Sequence, residues 1–294
     1  MAKPPAGMTT AIRSVEAADT AACGRIIYEA FSGISERHGF PPDFPSEEAG
    51  EQLASNLIAN PSIFGVVAEA DGRVVGSNFV SEGDPIRGVG PITVDPAYQR
   101  SGIGRRLMQA VLARGEGAAG IRLLQDAFNT SSIALYASLG FEIKEPVLLV
   151  AGKPESPPPS GLAIRPMTEQ DVNACAAICE RVHGFPRTSD VRDALQIFKP
   201  FVVERGGRIA GYLTSATFWL ANHGVAETEQ DMRVLMAGAA TMTAEPMSFL
   251  LPVRQAGLFR WCLEHGMRVV KPMTLMAIGA YREPKGCWFP SVLY

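Results

Sequence analysis

The chain has 294 residues, 47% of them hydrophobic and 19% charged, and 27 basic against 30 acidic residues leave a formal net charge of −3. That is a folded composition of about two domains' length, too apolar for a disordered chain and too weakly basic for a bulk nucleic-acid binder. No apolar run reaches the 18 or so residues of a membrane span, and Met1–Ser14 lacks the apolar stretch of a secretory signal.

In chain order, Thr10–Ser14 reads as a short strand leading into an amphipathic helix. Ala22, Ile26 and Phe31 fall near helical spacing, and Asp19 is placed to cap the helix. A second helical stretch covers Ser46–Ala59. Strands Phe64–Ala70 and Arg73–Ser81 follow, joined by Asp71-Gly72, a strong hairpin signal. A third strand is expected over Gly88–Val94, then a glycine-containing loop and a helix over Gly102–Arg114. Strand Arg122–Ala127, helix Ser131–Leu139 and strand Glu142–Val150 complete the unit. The order is mixed α and β, with an antiparallel front and a βαβ-like back.

Lys153–Gly161 reads Lys-Pro-Glu-Ser-Pro-Pro-Pro-Ser-Gly, a stiff extended spacer. It divides the chain into residues 1–153 and 162–294, with 154–161 as the linker. The halves repeat each other. Ala11-Ile12-Arg13, Asp19, Ala22, Cys23 and Ile26 recur 152 positions later as Ala163-Ile164-Arg165, Asp171, Ala174, Cys175 and Ile178. His38-Gly39-Phe40-Pro41 recurs as His183-Gly184-Phe185-Pro186, and Gly72-Arg73-Val74-Val75-Gly76 as Gly207-Arg208-Ile209-Ala210-Gly211. The pattern is that of a duplicated unit of about 140 residues. The five cysteines (Cys23, Cys175, Cys179, Cys262 and Cys287) form no Cys-x-x-Cys pair. They read as small buried apolar groups in a reducing cytoplasm rather than as a disulfide framework.

The chemistry-bearing segment runs from Val94 to Leu107 and contains Gln99-Arg100-Ser101-Gly102-Ile103-Gly104-Arg105-Arg106. A strand ends, a loop turns and a helix begins. The first amides of a helix lack internal partners and, with the helix dipole, attract an anion. Gly102 and Gly104 allow close approach to the backbone, and Arg100, Arg105 and Arg106 add positive charge. The string is neither a P-loop nor a dinucleotide fingerprint: no Gly-Lys-Ser/Thr follows, and Leu107 stands where a third glycine would be.

This segment resembles the GNAT acetyltransferase superfamily, whose signature Gln/Arg-x-x-Gly-x-Gly/Ala is matched by Gln99–Gly104. A second family feature is similar to Asn129 followed by Ala134-Leu135-Tyr136 and Gly140-Phe141. The resemblance covers residues 10–150 well and the second half more loosely. It implies two GNAT-like domains, each a mixed, mostly antiparallel central sheet flanked by helices. It further implies that acetyl-CoA is a co-substrate, with no metal. Backbone amides of Gln99, Arg100, Ser101, Gly102, Ile103, Gly104 and Arg105 would hold the pyrophosphate. Ile92, Thr93 and Val94 would pair with the pantetheine arm, which Asn129 and Ser131 would flank. Tyr136 would protonate the departing thiolate as general acid.

The resemblance implies direct transfer of an acetyl group to an amine, for which a small molecule is the expected acceptor and neither nucleic acid nor membrane is an expected partner. The alternative is a non-catalytic acyl-CoA-binding sensor or interaction protein. A base must free the amine, and Glu82, Asp84 and Asp126 are the candidates. The second half lacks the glycine motif, and aligning Gly266 with Gly140 puts Cys262 at the position of Tyr136. It is therefore expected to keep the fold without cofactor binding, serving as structure or as a wall of the acceptor pocket. His38-Gly39-Phe40-Pro41 reads as a helix stop more readily than as a proton-moving site. Arg37 and Arg187 are candidates to meet an acidic acceptor. Trp288 and Phe289 belong to a β-forming C-terminal run and read as core.

Overall fold

The computed structural model describes residues 10–155 and 163–293. The first nine residues of the N-terminal segment, most of the proline-rich linker and Tyr294 lie outside the described residues. β1 (Thr10–Ser14) leads through a 3-10 turn into α1 (Thr20–His38), and α2 (Glu47–Ala59) follows. Ser46 caps α2 by accepting the Ala49 N–H at 3.4 Å, and Gly39 ends α1 in the left-handed region at φ 73°. Asp19 does not cap α1. Its carboxylate instead accepts the Glu16 N–H at 2.8 Å and two hydrogen bonds from Arg13, tying β1 to the helix start.

β2 (Ile63–Ala70) and β3 (Arg73–Ser81) form the expected hairpin. Asp71 and Gly72 both have positive φ, 49° and 73°, as a two-residue hairpin turn requires. The strand expected over Gly88–Val94 is broken into β4 (Ile86–Gly88) and β5 (Thr93–Val94). Pro91 has no N–H to give to a ladder. β5 continues the first sheet, in the order β1-β2-β3-β5, whereas β4 pairs in parallel with β6 (Gly120–Asp126) in another sheet. Between β5 and β6 stand α3 (Ile103–Arg114), and after β6 come α4 (Thr130–Ser138) and β7 (Glu142–Gly152).

The second half repeats the order: β8 (Ala163–Pro166), α5 (Val172–His183), α6 (Thr188–Ile197), β9 (Phe201–Arg205), β10 (Arg208–Leu213), β11 (Gly224–Ala226), α7 (Glu229–Met242), β12 (Met247–Pro252), α8 (Ala256–Glu264), β13 (Arg268–Gly279) and β14 (Cys287–Phe289). Its front sheet has the order β14-β11-β10-β9-β8. The third sheet is shared, with the order β12-β7-β13-β6-β4. The last long strand of the second half thus lies between the two long back strands of the first, and β7 lies between two strands of the second.

The core follows the shared sheet. Leu124, Val147 and Leu149 pack in one cluster with Val172, Cys175, Tyr212, Met273, Leu275 and Trp288. The Arg122 guanidinium lies 4.8 Å from the Phe185 ring centre and 5.0 Å from that of Tyr281, a further contact between halves. At the linker's start, Lys153 donates to the Thr243 carbonyl and the Glu155 N–H to that of His265. All five cysteines are free and buried. No helix among the described residues is long and apolar enough to cross a membrane.

Candidate active site

β4 holds β6 only from Gly120 to Arg122, and β5 leaves with the first sheet. From Leu123 onward, the β6 edge and the β5 edge therefore diverge, and a cleft of about 680 Å³ opens there. One wall is the sequence-expected constellation: Ile92, Thr93, Val94, Gln99, Arg100, Gly102, Gly104, Arg105, Asn129, Ser131 and Tyr136 all line it. The opposite wall comes from the second half, through α6, the loop containing Trp219 and the C-terminal residues Ser291–Leu293. Leu293 packs closely against β4: a Cβ on Gly88 would come within 1.7 Å of the Leu293 carbonyl oxygen.

The glycine-containing loop has the backbone of an anion cradle. Arg100 and Gly102 are left-handed, at φ 63° and 87°. For Arg100 that conformation costs about 1–2 kcal/mol, because its Cβ crowds a carbonyl. Successive amides turned this way converge on one side. Among the described residues, the amides of Arg100 through Arg105 donate to no carbonyl or side chain, and the first helical bond is Arg106 N–H to Gly102 O at 3.2 Å. Gln99 is spent on the turn, its Nε2 donating to the Val94 carbonyl at 3.2 Å, and Ser101 Oγ donates to the Tyr98 carbonyl at 2.6 Å. Ser101 and Ile103 present no side chain to the cleft; Ile103 is buried in the core beneath α3. Thr93 is likewise buried, its hydroxyl 3.2 Å from that of Ser77.

Asn129 starts α4 by accepting the Ser132 N–H at 3.3 Å, which places Ser131 and Tyr136 along the cleft. Tyr136 is buried, with its ring edge toward Phe141 at 6.1 Å. Burial pushes its phenol up to about 12, partly offset by the Ser132 hydroxyl, while nearby Asp126 adds to the rise. A phenol so held stays protonated at neutral pH.

Of the three candidate bases, two are occupied elsewhere. Glu82 pairs with Arg114 at 3.0 Å, and Asp84 caps α6 by accepting the Ser189 and Asp190 amides. Asp126 lines the cleft and sits 2.6 Å from Lys271 Nζ. Lys271 also donates to both carboxylate oxygens of Asp43, at 2.6 and 2.8 Å. Burial raises the Asp43 carboxyl above its ordinary range, against the pull of the Lys271 ammonium. Arg37 lines the cleft; Arg187 does too, but is buried in an ion pair with Asp190 and a hydrogen bond to Ser291.

The second half closes the equivalent helix end with its own side chains. Thr228 Oγ1 accepts the Asp231 N–H, and Asp231 accepts both the Thr228 N–H and its hydroxyl. The acidic groups around this end are themselves taken up by arginines: Glu227 by Arg181, Arg205 and Arg208, Asp231 by Arg205, and Glu229 by Arg233. Gly266 ends α8 at φ 85° as Gly140 follows α4 at φ 96°, and Cys262 is buried in the core rather than in the cleft. Both His-Gly-Phe-Pro strings are helix stops, with Gly39 and Gly184 left-handed at the ends of α1 and α5. His183 has Cys179 and His223 beside it, their ligating atoms within 4.8 Å. Burial and the charges of Arg122 and Arg187 hold His183 well below its ordinary pKa, and the same field opposes a metal cation there.

Sequence reasoning missed Asp43, Gln125, Trp219, Asp190 and Lys271. None sits in a motif; they meet only because β13 crosses into the first half's sheet and α6 faces its cleft.

Residues 28–141 match the model of the acetyltransferase (GNAT) family. A mycothiol acetyltransferase of Clavibacter michiganensis subsp. michiganensis is 32% identical over 168 residues, which cover 50% of this chain and 54% of that protein. The chain thus spans about half the length of this relative. Among solved structures, a candidate acetyltransferase from Pyrococcus horikoshii superposes with a TM-score of 0.73 at 16% identity, over 95% of this chain and 94% of that one. A tandem GNAT protein from the clavulanic acid biosynthesis pathway gives 0.60 at 14% identity, over 96% and 100%. At those identities the likeness is one of fold. The chain is a tandem GNAT-fold protein, and residues 28–141 within its N-terminal half match the acetyltransferase (GNAT) family, whose members use acetyl-CoA.

Proposed function

We propose that the protein is an N-acetyltransferase that moves the acetyl group of acetyl-CoA directly to the amine of a small molecule, through one site in residues 1–153. The observation that carries this reading is the contrast between two helix ends. At α3 the amides from Arg100 to Arg105 are unbonded among the described residues, and Arg100, Gly102, Gly104 and Arg105 line the cleft, while at α7 Thr228 and Asp231 already occupy the corresponding position. The diphosphate sits on the first end, and the edge of β5 at Thr93 and Val94 offers the pantetheine arm its backbone.

Alignment of amine and thioester in a cleft walled by both halves supplies most of the acceleration. Tyr136 gives its proton to the sulfur as the C–S bond breaks. Residues 162–294 serve as the second wall rather than as a second catalytic unit. The small-molecule acceptor accords with the activity for which the mycothiol acetyltransferase relatives are named. The five free cysteines accord with a cytoplasmic setting.

A thermal-shift titration tests this reading. Acetyl-CoA at about 100 times its Kd stabilises a single-site protein by roughly 2.7 kcal/mol. A matching rise in Tm, with thiol release when an amine is added, is expected. Binding without release to any amine would favour the sensor alternative.

A further inference from the structure

The charged groups lining the cleft fall into sets with separate partners. Asp190 pairs with Arg187, Asp193 accepts from Asn60 Nδ2 at 3.0 Å, and Glu29 pairs with Arg25 at 2.8 Å. Asp43 and Asp126 are different, for they share the one ammonium of Lys271. All three side chains are nearly dry, at 5%, 5% and 1% exposure. Two carboxylates on one cation leave a buried excess of one negative charge, which a dry site carries only at a cost. An incoming ammonium would balance it.

A second observation marks the same place as a ligand site. Gln125, adjacent to Asp126, lines the cleft and is 7% exposed, and neither its Oε1 nor its Nε2 has a hydrogen-bond partner among the described residues. Buried amides are ordinarily satisfied. An acceptor with a hydroxyl or amide would complete this one. The walls around it are apolar, with Phe44, Phe218 and Trp219 on the lining.

We propose that Asp43 and Asp126 dock the protonated amine of the acceptor, and that Asp126 takes its proton, so that the acceptor is a cationic primary amine without an adjacent carboxylate. The inference rests on the transferase reading above. Asp126 and Tyr136 both line the same cleft, so base and acid face one space. The ammonium gives one proton to the Asp126 carboxylate. The freed lone pair forms the N–C bond, the C–S bond breaks, and the sulfur takes the Tyr136 proton. The nitrogen then loses a second proton as the amide forms, which restores the phenolate to phenol. The first proton passes from Asp126 to water. Lys271 is a positioning residue, holding both carboxylates from β13.

The test uses the full chain with acetyl-CoA and three probes: phenethylamine, tryptamine and phenylalanine. The first and last differ by a carboxylate. Thiol release, amine binding by thermal shift, acetyl-CoA affinity and Tm are read for wild type, Asp126→Asn and Asp43→Asn. Either substitution leaves one carboxylate on Lys271 and so a neutral pair. Folding and acetyl-CoA affinity are therefore expected to hold, whereas a purely structural ion pair would lower Tm. Wild type is expected to prefer phenethylamine or tryptamine over phenylalanine by about 10-fold or more, and Asp126→Asn to lose about 100-fold or more in kcat/KM. Asp43→Asn is expected to raise KM more than it lowers kcat. Wild-type turnover in Asp126→Asn, unfolding of both variants, or a preference for phenylalanine overturns the proposal. So does a wild type that neither binds nor acetylates any of the three. Amine binding that depends on Asp126 but brings no thiol release would uphold the docking site and count against the transferase reading.

Discussion

Arg165 holds Asp171 through two hydrogen bonds of 2.7 and 2.8 Å, and Arg13 holds Asp19 through the same two bonds at the same lengths. The duplication seen as scattered identities is thus a physical device. In each half one arginine on the first strand grips an aspartate at the start of the first helix, and each also reaches a glutamate on the neighbouring strand, Glu69 or Glu204.

These pairs give the fold an acid sensitivity. The Arg165 guanidinium holds Asp171 down at about 2, below the ordinary carboxylate near 3.9. A carboxylate depressed in the folded state stabilises fully above its unfolded pKa and loses that contribution as pH falls through the folded value. Arg165 is more than a third exposed, so solvent screens part of the effect. Asp171→Asn is expected to lower stability by about 1–2 kcal/mol at pH 7. The difference from wild type should shrink between about pH 4 and pH 2, as measured by denaturant unfolding across that range.

Tyr136 is expected to act on turnover rather than on binding. Tyr136→Phe should keep the acetyl-CoA affinity and lower kcat by about 10²-fold or more. Because burial holds the phenol protonated to about 12, wild-type kcat should show no alkaline decline attributable to it below about pH 10. A steady-state pH profile of the two proteins checks both statements.

The shared sheet makes the halves dependent on each other. A chain ending at residue 153 would lack β13, leaving β6 and β7 without the strand that joins them and exposing Leu149 and Val150. Unpaired apolar edges favour aggregation. That fragment is expected to be insoluble or unfolded, with circular dichroism and sedimentation as the measurements. A soluble, acetyl-CoA-binding fragment would show that the first half closes its own sheet.

The cradle and its helix were legible because they are local. Gln99–Gly104 and Asn129–Phe141 carry spacing that survives in one stretch of chain, and the Asp71-Gly72 turn specifies its hairpin by backbone conformation alone. The break at Pro91 was present in the sequence, since a proline cannot sit in a central ladder, yet the β-forming residues around it masked the boundary. That Asp43, Asp126 and Lys271 come together was beyond reach for a different reason. Their meeting depends on β13 pairing with β6, a register that no local pattern encodes. Asp126 was visible only as one carboxylate among several.

Calorimetric titration of the full chain with acetyl-CoA, in wild type and Gly104→Glu, tests the single-site account most directly. Gly104 lies in the first turn of α3, and a Cβ there meets only ordinary contacts, Leu135 at 3.6 Å and Val94 at 3.8 Å, so the substitution adds charge without backbone strain. One acetyl-CoA per wild-type chain, and none in Gly104→Glu with Tm unchanged, is the predicted result. Two molecules per wild-type chain, or undiminished affinity in Gly104→Glu, would contradict it.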